Sequence, residues 1–549
     1  MSSSPDLSSE EWSDSTLTTR EPISFFPRLQ GNEPFLHEST PPGDDAETSA
    51  GIVGDTINHI GVGKFQLLSC LLLGLGNAAD AVELTSISFI LPQLPNVSDE
   101  QKGVLSSGVF VGMLIGSLFS GVLSDRWGRK PTLVTTLAVN AMFGALSAVA
   151  PTWGWLVAFR ILSGLGVGGS AGLVFTLLAE FLPTARRGFY LTIVAWFWMF
   201  GSIYSAGTAW MMLGLGVSWR WYALVSAAPA ALGSLLILWK IPESPRLMFV
   251  QKEYALGISV LRDIARINDK LPELQPHLAR IKRVVNRSIN NSDINVENPS
   301  KTCLQQFQDS LRESLVSVLR LFVPSIRRST ICLTLVFWSL NYGWYGLTMW
   351  IPAIMDQLGN MNIYESTFLV VLANIPGNII SALIVDVVGR KHLLSGSMAI
   401  AGLVAFAFSF AQAINSAWYT IPIAMAFNCF GTMGWNALDV ISAELFPTEV
   451  RNTGLGFVMA FGRLGSILSQ IVNGFLINSS LPLMLGIIGV NILIGCASTL
   501  FLHEPAGMML VDFIVKEVPF DSDPRLALTP ACDLNPSHEE EDSDPSHEE

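Results

Sequence analysis

Twelve apolar stretches, each long enough to cross about 30 Å of hydrocarbon at about 1.5 Å per helical residue, constrain this chain more than any other feature. They run approximately over 65–94, 103–124, 131–150, 154–179, 189–213, 221–241, 330–355, 365–386, 392–412, 417–443, 452–477 and 482–502. Lipid offers no partner to an unpaired backbone group, so the spans predict an all-α polytopic membrane protein. Composition agrees, with 50% hydrophobic and only 14% charged residues among 549.

A polar segment of about 85 residues separates the sixth span from the seventh, far longer than a usual connection. The pattern Tyr254, Leu256, Val260, Leu261, Ile264 and Ile267 within it predicts an amphipathic helix. The chain is thus expected to divide into an acidic disordered tail (1–60), a six-helix bundle (61–246), a central loop (247–329), a second six-helix bundle (330–502) and a second acidic tail (503–549).

The net charge of -13 belongs to the ends: residues 1–50 hold ten acids against two bases, and 517–549 eleven against one. The body between is mildly basic, and nucleic-acid binding gains no support. About twenty-two Lys and Arg fall in one set of alternate loops, against Lys102 and Arg220 in the other. By the positive-inside rule both termini are cytosolic. The first 50 residues lack the apolar core of a signal peptide, so the first span is expected to target the chain. Asn96-Val-Ser98 and Asn478-Ser-Ser480 are glycosylation sequons on the outer side. Of six cysteines, four lie in apolar runs and two, Cys303 and Cys532, in polar segments, which suggests no disulfide framework.

Charged motifs repeat. Asp125-Arg-Trp-Gly-Arg129-Lys130 follows the second span, and Asp386-Val-Val-Gly-Arg390-Lys391 follows the eighth, 261 residues later. Glu180-Phe-Leu-Pro183 with Arg187 after the fourth span is echoed by Glu444-Leu-Phe-Pro447 with Arg451 after the tenth, and Glu243 by Glu504. One order at nearly one spacing indicates duplication. Acids and bases at the same bundle mouth suit a latch, with ion pairs formed while the cytosolic side is closed and separated when it opens. Arg160 is assigned to the same cytosolic gate network.

These motifs resemble the major facilitator superfamily, and Pro242-Glu-Ser-Pro-Arg246 is similar to its sugar-porter and organic-ion branch. Ile60–Gln66, Arg160–Ser170, Tyr345-Gly-Leu-Thr348, Pro376-Gly-Asn-Ile379 and Trp435-Asn-Ala-Leu-Asp439 resemble the synaptic vesicle glycoprotein 2 family and its transporter-like relatives over about residues 55–510. That family's vesicular members carry a large luminal domain between the seventh and eighth helices, where this chain has only about 356–364, so their receptor roles do not carry over. The resemblance implies the fold and a central cavity opening alternately to each side. It also implies that Trp210, Tyr345, Trp435 and Asp439 line a pocket, and that Asp80 matches the acid of the first helix.

Ionisable groups in hydrocarbon cost at least ~2.5 kcal/mol and must face a cavity or each other. Asp80 and Glu83 share a face of the first span, which permits a substrate cation, a shared proton or a structural pair; Asp439 lies in the tenth span and Arg463 in the eleventh. With Trp344 and Tyr345 in the seventh span and Trp435 in the tenth, acids beside aromatic faces suit an organic cation or amine. Tryptophan, carboxylates and Asn341 equally suit a sugar. The glycines at 164, 166, 168 and 169 lie inside an apolar span with no Walker lysine and read as helix packing. No histidine pair at metal spacing and no catalytic set occurs, so no cofactor, metal or enzymatic activity is expected. The reading is alternating-access transport of a small solute, with protons as the candidate coupling ion. A ligand-binding receptor of transporter shape is the rival.

Overall fold

The structure is a computed structural model that describes residues 49–292, 318–358, 362–414, 417–447 and 450–504. The acidic tails, apart from 49–60 and 503–504, lie outside the described residues, as do Cys303 and Cys532. Among the described residues every regular element is helical.

The first half comprises α1 (Ser49–Ile60), α2 (Lys64–Ile90), α3 (Asp99–Trp127), α4 (Arg129–Leu146), α5 (Trp153–Phe181), α6 (Arg187–Met212) and α7 (Trp219–Lys240). Three helices follow in the central segment: α8 (Pro245–Val250), α9 (Tyr254–Ile267) and α10 (Leu271–Ser292). The second half begins with α11 (Arg327–Leu340), which continues through a π-helical turn, Asn341–Tyr345, and a last turn at Gly346–Thr348. It continues with α12 (Ile351–Leu358), α13 (Ile363–Leu372), α14 (Asn374–Val388), α15 (Arg390–Ile414), α16 (Ala417–Leu445), α17 (Arg451–Leu476) and α18 (Leu481–Thr499). Within the first half α2 packs on α5, α6 and α7, and α3 on α5. Within the second, α11 packs on α17 and α18, and α16 on α14 and α15.

Ten of the twelve predicted spans are helices long and apolar enough to cross a bilayer. The seventh and tenth differ for a physical reason. The seventh is broken at its π turn, where side chains of α17 take up backbone carbonyls: Gln470 Nε2 donates to Tyr345 O (3.0 Å) and Asn473 Nδ2 to Gly346 O (2.7 Å). The tenth, α16, is long but carries Asn428, Thr432, Asn436 and Asp439, and it bonds α14 through Thr432–Asn374 (2.9 Å) and Asn436–Asn378 (3.0 Å). A helix whose polar face meets protein need not be apolar all round.

The expected amphipathic helix is α9, bounded by Tyr254 and Ile267. The expected boundary of the disordered tail at 60 is corrected, because α1 is helical. Its Ile52, Val53, Ile57 and Ile60 are buried in one cluster with Leu261 of α9 and Leu274, Leu278 and Ile281 of α10. Asn58 Oδ1 also accepts from the Thr184 backbone at 2.8 Å, which ties α1 to the start of α6.

Candidate transport site and gates

The duplicated motifs build two matching networks at one end of the bundle. In the first half Arg129 bonds Asp125 (2.7 Å), one turn earlier across the α3–α4 bend, and approaches Glu180 at the end of α5 (3.5 Å). Glu243, just past α7, accepts from the backbone N–H groups of Arg129 (3.1 Å) and Lys130 (3.2 Å), which are unsatisfied donors at the start of α4. Burial pushes the Glu243 carboxyl above the usual glutamate range, against which the backbone donors of Ser244, Lys130 and Arg129 act. In the second half Arg390 bonds Asp386 (2.9 Å) and approaches Glu444 (3.3 Å), while Glu504 accepts from the backbones of Arg390 (3.1 Å) and Lys391 (3.0 Å). The glycine in each motif has positive φ, 109° at Gly128 and 92° at Gly389. A Cβ there would strike Glu243, or stand 3.0 Å from Glu504 Oε2, so glycine allows both the bend and the carboxylate's approach.

Arg187 and Arg451 occupy matching places as well. Arg187 Nη2 donates to Leu182 O (3.5 Å) and Arg451 Nε to Phe446 O (3.3 Å), each closing the loop before its own helix.

The structure bears on two expectations about the gate. The described ion pairs of the motifs each join residues of one half, whereas the named contacts between halves fall toward the opposite end. There Gln93 Nε2 donates to Tyr364 Oη (2.5 Å), Asn478 Nδ2 donates to Asp99, and Phe110 packs on Tyr345 at 5.1 Å. A Cβ on Gly103 of α3 would lie 2.7 Å from Gln470 O of α17, so these backbones touch. The motif pairs are therefore formed within each half while the halves meet at the other end. Arg160, in turn, is not part of this gate. It lies twenty residues before Glu180 on α5, about 30 Å along the helix, and bonds Glu83 (2.7 Å) and Ser86 (3.1 Å) inside the bundle.

That pair accounts for Glu83, which also accepts from Ser163 Oγ (2.6 Å) and is 2% exposed. Asp80, one turn away and fully buried, accepts from Ser170 Oγ (2.7 and 2.8 Å) and Asn140 Nδ2 (3.3 Å). Both acids thus sit among α2, α4 and α5, apart from the aromatic residues. Sequence reasoning missed Asn140, Ser163 and Ser170; their signal is a polar residue placed in an otherwise apolar span.

In the second half the structure gathers Tyr345, Trp435, Asp439 and Arg463. Trp435 and Asp439 lie four apart on α16 and so share a face. Trp435 meets Tyr345 (5.9 Å), Trp344 (6.3 Å) and Phe337 (6.4 Å) edge-on, and the Arg463 guanidinium lies 5.7 Å from the Tyr345 ring. Asp439 is exposed although its face looks into the bundle, and Arg463 is the opposite charge acting on it, with no direct ion pair between them among the described residues. Trp435 Nε1 and Arg463 Nη1 are shut from solvent with no hydrogen-bond partner. The arrangement offers a ligand one open carboxylate, aromatic faces and two N–H donors.

Of the three other candidates, Trp344 belongs to the same ring cluster, 5.0 Å from Tyr345 and 6.3 Å from Trp435, while Asn341 and Trp210 fall elsewhere. Asn341 is 2% exposed, with its amide nitrogen on Phe337 O (2.8 Å) and its oxygen accepting from Ser466 Oγ (3.2 Å); it lies at the start of the π turn, shut off by its burial. Trp344 is buried with its indole edge against Gly431 of α16. Trp210 meets Phe368 of α13 with ring centroids 5.4 Å apart and planes tilted by 31°, at the contact between α6 and α13.

Helices, duplicated end networks and an interior polar site define a transporter of the major facilitator fold. Residues 74–511 match the family described as sugar (and other) transporter. The chain belongs to that family. It is 29% identical to organic cation/carnitine transporter 7 of Arabidopsis thaliana, over 84% of this chain and 96% of that protein. It is 25% identical to human synaptic vesicle glycoprotein 2C, over 78% of this chain and 77% of that protein. Among solved structures, the inward-open xylose transporter XylE of E. coli superposes with a TM-score of 0.63 at 18% identity, covering 81% of this chain and 98% of that one. This last likeness concerns the fold alone.

Proposed function

We propose that the chain moves a small organic cation or amine across a membrane by alternating access, at a site formed by Asp439, Trp435 and Tyr345. The observation that carries this reading is Asp439 itself, an exposed carboxylate on an inward-looking helix face with aromatic rings one turn away. The relative whose name includes organic cation lends support. The Lys and Arg asymmetry supports a cytosolic motif end and cytosolic termini. For proton coupling the candidate is Asp80, because Arg160 is already engaged by Glu83 while no described base pairs with Asp80.

A polyol is the second reading, favoured by the unpartnered donors Trp435 Nε1 and Arg463 Nη1. Thermal stabilisation of the purified protein by tetraalkylammonium ions, amines and sugars separates the two. Cations should raise the melting temperature, and Asp439→Asn should abolish the response. Stabilisation by sugars alone, unaltered in that variant, would refute the cation reading. Ligand binding without counterflow from proteoliposomes would instead identify a receptor.

A further inference from the structure

Two histidines distant in sequence meet outside the membrane-spanning helices. His59, in the last turn of α1, and His277, in the second turn of α10, have ring centroids 4.2 Å apart and planes inclined by 37°. They adjoin the apolar contact that docks α1, in which Ile52, Val53, Ile57 and Ile60 share a cluster with Leu274, Leu278 and Ile281 of α10. Among the described residues no group of three His, Cys, Asp or Glu is placed to hold a metal ion, so the pair reads as a place for protons.

Charges reach the pair from several elements. Asp55, one turn before His59 on α1, acts on His277 as the opposite charge, and Arg280, one turn after His277 on α10, as a like charge. Glu273, one turn before His277, is held by Lys270 at 3.2 Å. On α8, Arg246 approaches α1 at Gly54, where a Cβ would stand 3.5 Å from its Nη2. The loop before α6, bonded to Asn58 of α1, carries Arg186 and Arg187, while Arg262, Asp263 and Arg266 of α9 are exposed. Partial burial holds the His277 imidazole below the ordinary histidine value; His59 and Arg280 add to this, and Asp55 opposes it.

Released from α10, His277 would return to an ordinary value of about 6.5, so the released form binds more protons than the docked one. Docking is therefore at full strength above about pH 6.5 and weakens as the pH falls through that value toward the lower one of the docked imidazole. The chain around α1 suits local release. A helix of 12 residues is marginal in water and keeps its shape only while docked. Beyond it the chain turns at Gly61, with φ of 68°, into α2, whose Phe65 N–H is held independently by Asn268 Oδ1 at 3.0 Å. α1 can thus come away without unseating α2, and what it lets go is Thr184, whose N–H donates to Asn58 Oδ1 in the loop between α5 and α6.

We propose that α1 is a proton-sensitive strap across the motif end of the first half, and that charging the His59–His277 pair moves it off α10 and frees the loop before α6. The strap is independent of which solute the Asp439 site takes.

The test uses the purified full-length protein. Val53→Cys, at a position 0% exposed, reports release, and Ala255→Cys, at an exposed position on α9, corrects for the effect of pH on thiol reactivity. Each is alkylated with a maleimide against a parent lacking the substitution, and the ratio of the two rates is followed from about pH 7.5 to about 5.5. One imidazole that stays neutral while docked and titrates normally when released raises that ratio by about tenfold at most, and a rise of about five- to tenfold is expected. His277→Gln should flatten the profile, and His59→Gln should lower its slope, because the like charge facing His277 is gone. A level ratio in the parent, or an acid rise as steep in His277→Gln as in the parent, would overturn the proposal. Glutamine variants that label faster by one factor at every pH and keep the acid rise would reduce the pair to packing. Native Cys70 of α2, 5% exposed, should stay unreactive throughout; if it reacts in step with Val53→Cys, the acid rise is unfolding of the whole bundle and the strap is refuted.

Discussion

Arg160 and Glu83 form a buried ion pair between α5 and α2, and breaking it from either side should destabilise the protein far more than removing it whole. In Arg160→Met the 2.7 Å bond to Glu83 and the 3.1 Å bond to Ser86 disappear, which leaves Glu83 only Ser163. Bonds to charged groups contribute about 1.5–3 kcal/mol each, and orphaning one member of a buried pair costs about 3–5 kcal/mol. The expected loss is about 4 kcal/mol. Glu83→Gln should cost a similar amount, because a guanidinium 1% exposed cannot lose its charge and is left without a counter-charge. The double variant removes both charges, and its glutamine can still accept from Ser163. Its loss should stay near either single value or below it, a departure from additivity of at least about 3 kcal/mol. Unfolding in mixed micelles of rising SDS fraction, followed by alkylation of native Cys70 and Cys332, provides the assay, since these thiols are 5% and 8% exposed in the fold. If the double variant loses the sum of the two single losses, the pair is not what holds α5 to α2. If Arg160→Met changes alkylation at the motif end but not stability, Arg160 would return to the gate.

Gly112→Ala should cost about 3 kcal/mol or prevent folding, because its Cβ would stand 2.7 Å from Leu165 N and closer still to Ile161 O on α5; Gly172→Ala, with nothing within 4 Å, should be neutral in the same unfolding assay. Glu243→Ala and Glu504→Ala should each lose about 1–3 kcal/mol, because each strands two backbone donors at a helix start; unequal losses would show that the two ends are not equivalent in strength. Gln470→Leu should cost about 1–3 kcal/mol, since it removes the acceptor of Trp350 Nε1 (2.8 Å) and the donor to Tyr345 O, and should weaken solute binding by loosening the π turn, as a solute-dependent melting shift would register.

The sequence showed the fold through hydropathy alone because lipid demands long apolar helices wherever a face meets it. It was least clear where protein, not lipid, surrounds the helix. The π turn at 341–345 depends on Gln470 and Asn473, more than a hundred residues distant, and no local pattern announces it. The motif charges were readable as sets because each pairs across a bend or at matching helix ends. Arg160 was misplaced although the Lys and Arg asymmetry, which makes the loop after Glu180 cytosolic, already sets the start of that span at the opposite end. The spacing of Trp435 and Asp439 put both on one face in advance. That Asn341 is spent on its own backbone, and that Trp210 meets Phe368 instead of the ring cluster, depends on helix rotation, which spacing does not fix.

The two end networks bear on how the halves move. In the first, Arg129 joins the end of α3 to the end of α5, and Glu243 holds the start of α4 from the end of α7. The second repeats this with Arg390 and Glu504. Each half is therefore pinned along one edge by charge-assisted bonds internal to it. Between halves the described bonds are fewer, chiefly Gln93–Tyr364, Asn478–Asp99 and the Asn378 contact with Met199 at 3.5 Å, beside glycine-lined helix contacts. Parting the halves at the outer end forfeits a few such bonds, at about 1–3 kcal/mol each, while bending either half would break its pinned edge. Rocking of two stiff bodies is then the motion of lower cost, and the motif bonds, being internal to each half, need not break in it.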